Sequence, residues 1–126
     1  MNTASLSLVL QRNKTPWYAR RILSLLQEIE HGSLEVQLPD GLRVQAGHGI
    51  PLGHVRFERW SAFRDILSKG DIGFAEGYID GAWDTPDLTG LLTLLARNRG
   101  AIDQAIFGHW WWRLYSRVRQ LLNANT

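Results

Sequence analysis

Ser-Leu-Glu-Val-Gln-Leu-Pro-Asp-Gly-Leu-Arg-Val-Gln-Ala, residues 33–46, decides the fold class. Leu34, Val36 and Leu38 alternate with Glu35 and Gln37, and Leu42, Val44 and Ala46 alternate with Arg43 and Gln45. A period of two puts each apolar set on one face of an extended strand. Pro39-Asp40-Gly41 supplies the turn between the two runs, so the stretch reads as a β-hairpin.

Upstream of the hairpin, Thr15-Pro16 offers a helix cap followed by a proline at the first helical position. Tyr18, Ile22, Leu25, Leu26 and Ile29 then share one helical face, and Gly32 is a stop. Arg20 and Arg21 stand near the positive end of that helix, where cations are disfavoured, and read as solvated surface. The segment before it has an apolar patch over Leu6–Leu10 but no clear cap or period, so residues 1–14 read as a tail.

Downstream, a Gly/Pro-containing loop over 47–53 leads to a third alternation at 54–59, with Val55 and Phe57 on one side and Arg56 and Glu58 on the other. Ser61 is placed to cap a short helix presenting Phe63, Ile66 and Leu67, which Gly70 ends. Residues 70–84, Gly-Asp-Ile-Gly-Phe-Ala-Glu-Gly-Tyr-Ile-Asp-Gly-Ala-Trp-Asp, carry the densest signal in the chain. Gly70, Gly73, Gly77 and Gly81 at three- or four-residue spacing strip one face of a short helix, so that another backbone or a ligand can approach closely. Asp71 is read as its cap and Asp80-Gly81 as the turn out of it.

Ala82-Trp83-Asp84 follows as a short strand, and Thr85-Pro86-Asp87 repeats the helix-start chemistry of residues 15 and 16. Leu88, Leu91, Leu92 and Leu95 form the buried face of the next helix. Residues 98–100 break it, and 101–123 offer another, with Ile102, Ile106, Trp110, Leu114, Val118 and Leu122 four apart. One helix, three strands and then mostly helix describe an α+β domain: a small antiparallel sheet of about three to five strands packed with helices, plus a C-terminal amphipathic helix. The chain divides into a tail at 1–14, an α+β unit at 15–99 and a Trp/Arg-rich helix at 100–126.

A length of 126 residues suits one domain. The absence of cysteine excludes disulfides, thiolate metal sites and a cysteine nucleophile, and leans towards a cytoplasmic setting. No apolar run reaches the roughly 20 residues of a membrane span, and the first ten residues lack a signal peptide's basic start and cleavage site. The expectation is a cytoplasmic protein, peripheral at the inner membrane face. A net charge of +2 is too small to argue for nucleic acid, but its distribution is uneven. Residues 70–96 hold five acids and no Lys or Arg, whereas Arg97, Arg99, Arg113, Arg117 and Arg119 face only Asp103 thereafter.

Asp71, Glu76, Asp80, Asp84 and Asp87 lack the spacing of a cation loop, and caps or turns account for most of them. Glu76, mid-helix between small residues, is left as a carboxylate in want of a partner. His31, His48, His54 and His109 show no metal-ligand spacing, and no nucleophile motif appears. No strand runs into a glycine-rich turn opening a helix, so no dinucleotide or S-adenosylmethionine site is expected in these residues, nor a complete enzyme. Trp110, Trp111, Trp112 and Arg113, flanked by Phe107 and Tyr115, form the second informative feature. Consecutive helical side chains point about 100° apart, so the three indoles cannot share one core. A lipid headgroup boundary, a protein interface or nucleic-acid stacking suits Trp and Arg together.

Residues 32–41 (Gly-Ser-Leu-Glu-Val-Gln-Leu-Pro-Asp-Gly), 70–84 as quoted, and 86–92 (Pro-Asp-Leu-Thr-Gly-Leu-Leu) together resemble the cyclopropane-fatty-acyl-phospholipid synthases, in the region before their catalytic domain. The likeness covers most of residues 15–126 in order. It implies a sterol-carrier-protein-like α+β fold that engages phospholipid, with S-adenosylmethionine bound only by a methyltransferase catalytic domain outside these residues. No cofactor and no catalytic residue is then expected in this chain. Lipid or membrane contact would fall to Phe107, Trp110, Trp111, Trp112, Arg113, Tyr115, Arg117 and Arg119, and domain docking to Gly73, Glu76, Gly77, Asp80, Gly81 and Trp83. The expected partners are a phospholipid or membrane surface and a methyltransferase catalytic domain, not nucleic acid. A homodimer or other protein-interaction module, or a standalone lipid-binding protein, is the alternative.

Overall fold

The computed structural model describes residues 5–12, 14–98, 100 and 119–120. In chain order the elements are α1 (Leu6–Leu10), α2 (Trp17–Leu26), β1 (Gly32–Gln37), β2 (Arg43–His48), β3 (Leu52–Phe57), α3 (Ser61–Lys69), α4 (Asp71–Ile79), β4 (Trp83–Asp84) and α5 (Leu88–Arg97). The fold is α+β, with helices packed on an open sheet of order β2-β1-β3-β4. None of the described helices is long and apolar enough to cross a membrane.

The hairpin forms as its alternation requires. β1 and β2 pair antiparallel with Val36 opposite Val44 and Leu34 opposite Ala46. Gly41, at φ +90°, makes the turn, and Leu38 N–H donates to Leu42 O at 2.7 Å. The sheet is not purely antiparallel, because β3 pairs parallel to β1, from Ser33 opposite Leu52 to Gln37 opposite Arg56. The route of the chain explains this correction. β2 finishes beside the start of β1, and β3 begins beside Ser33 on the far side. The link needs to hop only two strand spacings, roughly 10 Å, and the steps from His48 to Leu52 reach roughly 15 Å. Ser33 holds the crossing loop: its N–H donates to Pro51 O at 2.9 Å and its hydroxyl to Gly49 O at 2.7 Å. β4 closes the far edge antiparallel to β3, with Phe57 opposite Trp83.

One sheet face is dry. Leu34, Val36, Val44, Ala46, Val55 and Phe57 point into a core shared with Leu23 of α2, Phe63 of α3 and Leu91 and Leu94 of α5. Phe57 and Phe63 stack with centroids 4.0 Å apart. The buried stripe of α2 runs through Ala19, Ile22 and Leu23, with Tyr18 and Leu26 at its margin, and the helix ends at Leu26 before Gly32 is reached. Leu6–Leu10, expected only as part of a tail, forms α1 and buries Leu6 and Val9 in the core. A five-residue helix is too short to display a period, and it survives through packing rather than propensity. Arg12, just beyond α1, reaches the hairpin turn and pairs with Asp40 at 2.5 Å. Burial by itself would raise the Asp40 carboxyl; bonds from Arg12 and Leu42 N–H, with the Arg12 charge, outweigh it and hold the group below the usual carboxylate range.

The caps differ in part from expectation. Pro16, not Thr15, takes the cap position of α2, and the Thr15 hydroxyl is buried with no partner among the described residues. Trp60 precedes α3 in place of Ser61, which is its first helical residue. Asp87 caps α5 as its position suggests, accepting from Gly90 N–H at 3.0 Å. At the other end of α5, buried Asn98 accepts from the N–H groups of Glu30 and His31 at 2.8 and 2.9 Å and donates to the carbonyls of His31 and Leu94 at 2.9 Å. That one amide ties α5 to the start of β1.

Candidate functional site

The glycine-rich stretch is a helix–helix joint. Gly70 is at once the last cap of α3 and the first cap of α4, at φ +61° and ψ −128°, a backbone conformation that suits glycine. The cap expected of Asp71 is therefore supplied by Gly70. Its N–H donates to Ile66 O at 2.8 Å and its carbonyl accepts from Phe74 N–H at 3.0 Å, so the chain reverses without a loop. α4 then lies directly on the backbone of α3. A Cβ at Gly73 would collide with the Asp65 carbonyl oxygen and stand 2.6 Å from its carbon and 3.1 Å from Ile66 N. The close backbone approach expected of these glycines is thus present at Gly73.

Gly77 makes room for an indole instead. A Cβ there would stand 2.9 Å from Trp83 Cδ1. The Trp83 ring, 1% exposed, donates from Nε1 to Phe74 O at 2.8 Å, stacks on Phe74 at 4.4 Å and meets Tyr78 at 5.0 Å. Gly81, at φ +78°, turns the chain out of α4, and Ala82 N–H donates to Gly77 O at 2.7 Å.

This packing divides the six residues assigned to docking. Gly73, Gly77 and Trp83 are buried and hold α4 inward; Glu76, Asp80 and Gly81 are exposed. Glu76 is not the part-buried carboxylate that its small neighbours suggested: it stands in solvent, 3.9 Å from the Lys69 ammonium across the joint. Such an exposed pair contributes at most about 1 kcal/mol. Beside these acids the outer side of α4 carries Ile72, Tyr78 and Ile79, the last 78% exposed. A helix apolar on its inner and outer sides is one that ordinarily meets a second surface.

The wet face of the sheet holds Glu35, Gln37, Arg43, His54, Arg56 and Asp84 around a shallow depression of about 540 Å³. Its charges answer one another: His54 Nδ1 is 3.6 Å from Glu35, and Arg56 lies 2.5 Å from Glu58 and 3.9 Å from Asp84. The Thr85 hydroxyl at its rim is committed to His54 O at 2.6 Å. Among the described residues no three His, Asp or Glu side chains converge as metal ligands.

A further surface escaped sequence reasoning. α1 and α2 expose Leu8 (62%) and Trp17 (64%), and Leu10, Trp17, Arg20, Arg21 and Ser24 line an open groove of about 490 Å³. Among the described residues neither Arg20 nor Arg21 forms an ion pair. The only sequence signal was the pair of arginines where the helix end disfavours them. Of the residues assigned to lipid contact, Phe107, Trp110, Trp111, Trp112, Arg113, Tyr115 and Arg117 lie outside the described residues. Arg119 is helical and exposed.

Comparison with protein-family models finds no match to the chain, and no curated protein is similar enough to it to assign a relationship.

Proposed function

We propose that the chain is a non-catalytic module of a cyclopropane-fatty-acyl-phospholipid synthase-like methyltransferase, with a sterol-carrier-like fold, which engages phospholipid and docks the S-adenosylmethionine-dependent catalytic domain. The observation that carries the reading is α4. The motif that marks the resemblance also builds a helix whose inner side is fastened by Gly73, Gly77 and Trp83 while its outer side offers Tyr78, Ile79, Glu76 and Asp80. In this reading the outer side of α4 meets the catalytic domain, and the Trp110–Arg119 stretch sits at the headgroup level on the cytoplasmic side of the membrane. The module's task is to present acyl chains; the chemistry belongs to its partner.

Co-sedimentation with vesicles of equimolar phosphatidylglycerol and phosphatidylcholine tests the lipid role. Wild type is expected in the pellet, and a folded Trp110→Ala/Trp111→Ala/Trp112→Ala variant in the supernatant; unchanged pelleting of that variant refutes the assignment of the tryptophans.

The exposed Tyr78 and Ile79 favour a second reading, in which the same face joins two copies of the chain. Light scattering over a concentration series separates the two. A dimer that Ile79→Asp dissociates supports self-association, and a strict monomer that binds vesicles removes it.

A further inference from the structure

We propose that the groove between α1 and α2 is a contact surface for anionic phospholipid headgroups, with Trp17 at the interface beside Leu10 and with Arg20 and Arg21 on the phosphates. The inference rests on the lipid-engaging reading and adds to it a surface on elements to which that reading assigns no role.

Three observations converge on this face. First, it is apolar where solvent would predict polarity. α1 turns Leu6 and Val9 inward and brings Leu10 to the groove, and Trp17 opens α2 with its indole in solvent, edge-on to Tyr18 at 5.7 Å. Trp is the side chain best suited to a boundary between water and hydrocarbon.

Second, the face has one sign of charge. Residues 5–26 contain Arg12, Lys14, Arg20 and Arg21 and not a single Asp or Glu. Asp40 of the hairpin turn is engaged by Arg12, and the next acids in the chain, Glu28 and Glu30, lie beyond the end of α2. Arg20 and Arg21 line the groove beside Trp17 with no carboxylate to answer them among the described residues. Several of the exposed charges elsewhere pair, Arg56 with Glu58 and Asp84, His54 with Glu35 and Lys69 with Glu76, whereas no acid stands among the residues lining this groove. An indole beside two arginines that have no ion-pair partner among the described residues complements an anionic layer.

Third, the extent fits a bilayer better than a protein. Trp17 exposes on the order of 150 Å² of side chain, against roughly 800 Å² per partner in a stable protein interface. A membrane surface needs only a few side chains at headgroup depth, reinforced by attraction of each basic residue to the anionic leaflet.

The test uses the full chain and vesicles of two compositions, pure phosphatidylcholine and equimolar phosphatidylcholine with phosphatidylglycerol. The variants are Trp17→Ala and Arg20→Gln/Arg21→Gln, with far-UV circular dichroism as the fold check; all three side chains point outward or line the open groove, so the core is untouched. Wild type is expected to pellet with the anionic vesicles and far less with the neutral ones. Each arginine removed should weaken partitioning about fivefold, and Trp17→Ala should weaken binding to both compositions. If the two variants bind as wild type does while the Trp110–112 alanine variant fails to bind, this surface is overturned and the lipid-engaging reading stands. Equal binding of wild type to both compositions overturns the role of the arginines. Wild type that ignores both vesicles but binds soluble polyglutamate overturns the bilayer in favour of an acidic polypeptide.

Discussion

Replacing Gly73 by alanine adds one methyl group at the point where α4 crosses α3, and the geometry sets the expected damage. The new Cβ would stand 2.6 Å from the Asp65 carbonyl carbon, where ordinary contact begins at 3.4 Å, so the helices must part by 3.4 − 2.6, at least 0.8 Å. The obstacle is backbone, which cannot rotate away as a side-chain end can. Overpacking of this kind costs about 1–3 kcal/mol. Moving α4 also pulls Phe74 O from Trp83 Nε1, a bond of 2.8 Å worth about 1 kcal/mol net. Alanine's better helix propensity returns about 1 kcal/mol. The balance is a loss of about 2 kcal/mol, which urea denaturation would read as a midpoint lowered by roughly 1 M at a typical slope. Gly100→Ala is the internal control: among the described residues a Cβ there meets nothing within 4 Å, so it should be neutral or slightly stabilising. A Gly73→Ala protein as stable as wild type would refute the close approach of the two helices.

Asn98→Ala removes four hydrogen bonds at once and leaves the N–H groups of Glu30 and His31 without their acceptor; a loss of about 2–4 kcal/mol is expected by thermal or urea denaturation, and a loss below about 1 kcal/mol would show that this amide does not tie α5 to β1. Trp83→Phe keeps an aromatic ring against Phe74 but removes the indole N–H that bonds Phe74 O and leaves part of the indole's volume empty. Urea denaturation should find a loss of about 1–3 kcal/mol, and an unchanged midpoint would show that the indole does not clamp α4. Asp40 has a depressed folded-state pKa, so its contribution is present above the ordinary carboxylate range and is lost as pH falls through the folded value. Titration of the carboxyl by NMR in Arg12→Gln should find Asp40 raised towards the ordinary range, and an unmoved value would mean that Arg12 does not hold it.

How far the chain could be read before its structure depends on the range of each signal. The hairpin at 33–46 was legible because alternation and a turn are properties of neighbouring residues. The third strand, the two short helices around Gly70 and the leucine-faced α5 were legible for the same reason, within a residue or two at their ends. Glycine spacing even announced a close approach, which Gly73 makes against Asp65. Caps fared less well. Thr15 and Ser61 had suitable side chains, but the cap position fell one residue away, at Pro16 and Trp60.

Sequence alone determined the class of the protein: apart from α1, which segments are extended and which helical, and that apolar faces exist for a sheet and helices to share. Tertiary structure decided everything that depends on what lies across a gap. The parallel pairing of β3 with β1 follows from a short link passing the end of β1, which no local pattern records. α1 is part of the core because Leu6 and Val9 find partners there, not because five residues insist on a helix. The same distinction turns Trp83 and Glu76, alike in a motif, into a buried clamp and a solvated carboxylate. It also leaves Trp17, Arg20 and Arg21 together on one exposed face. Periodicity tells a residue which side of its own element it occupies; only packing tells it whether that side is covered.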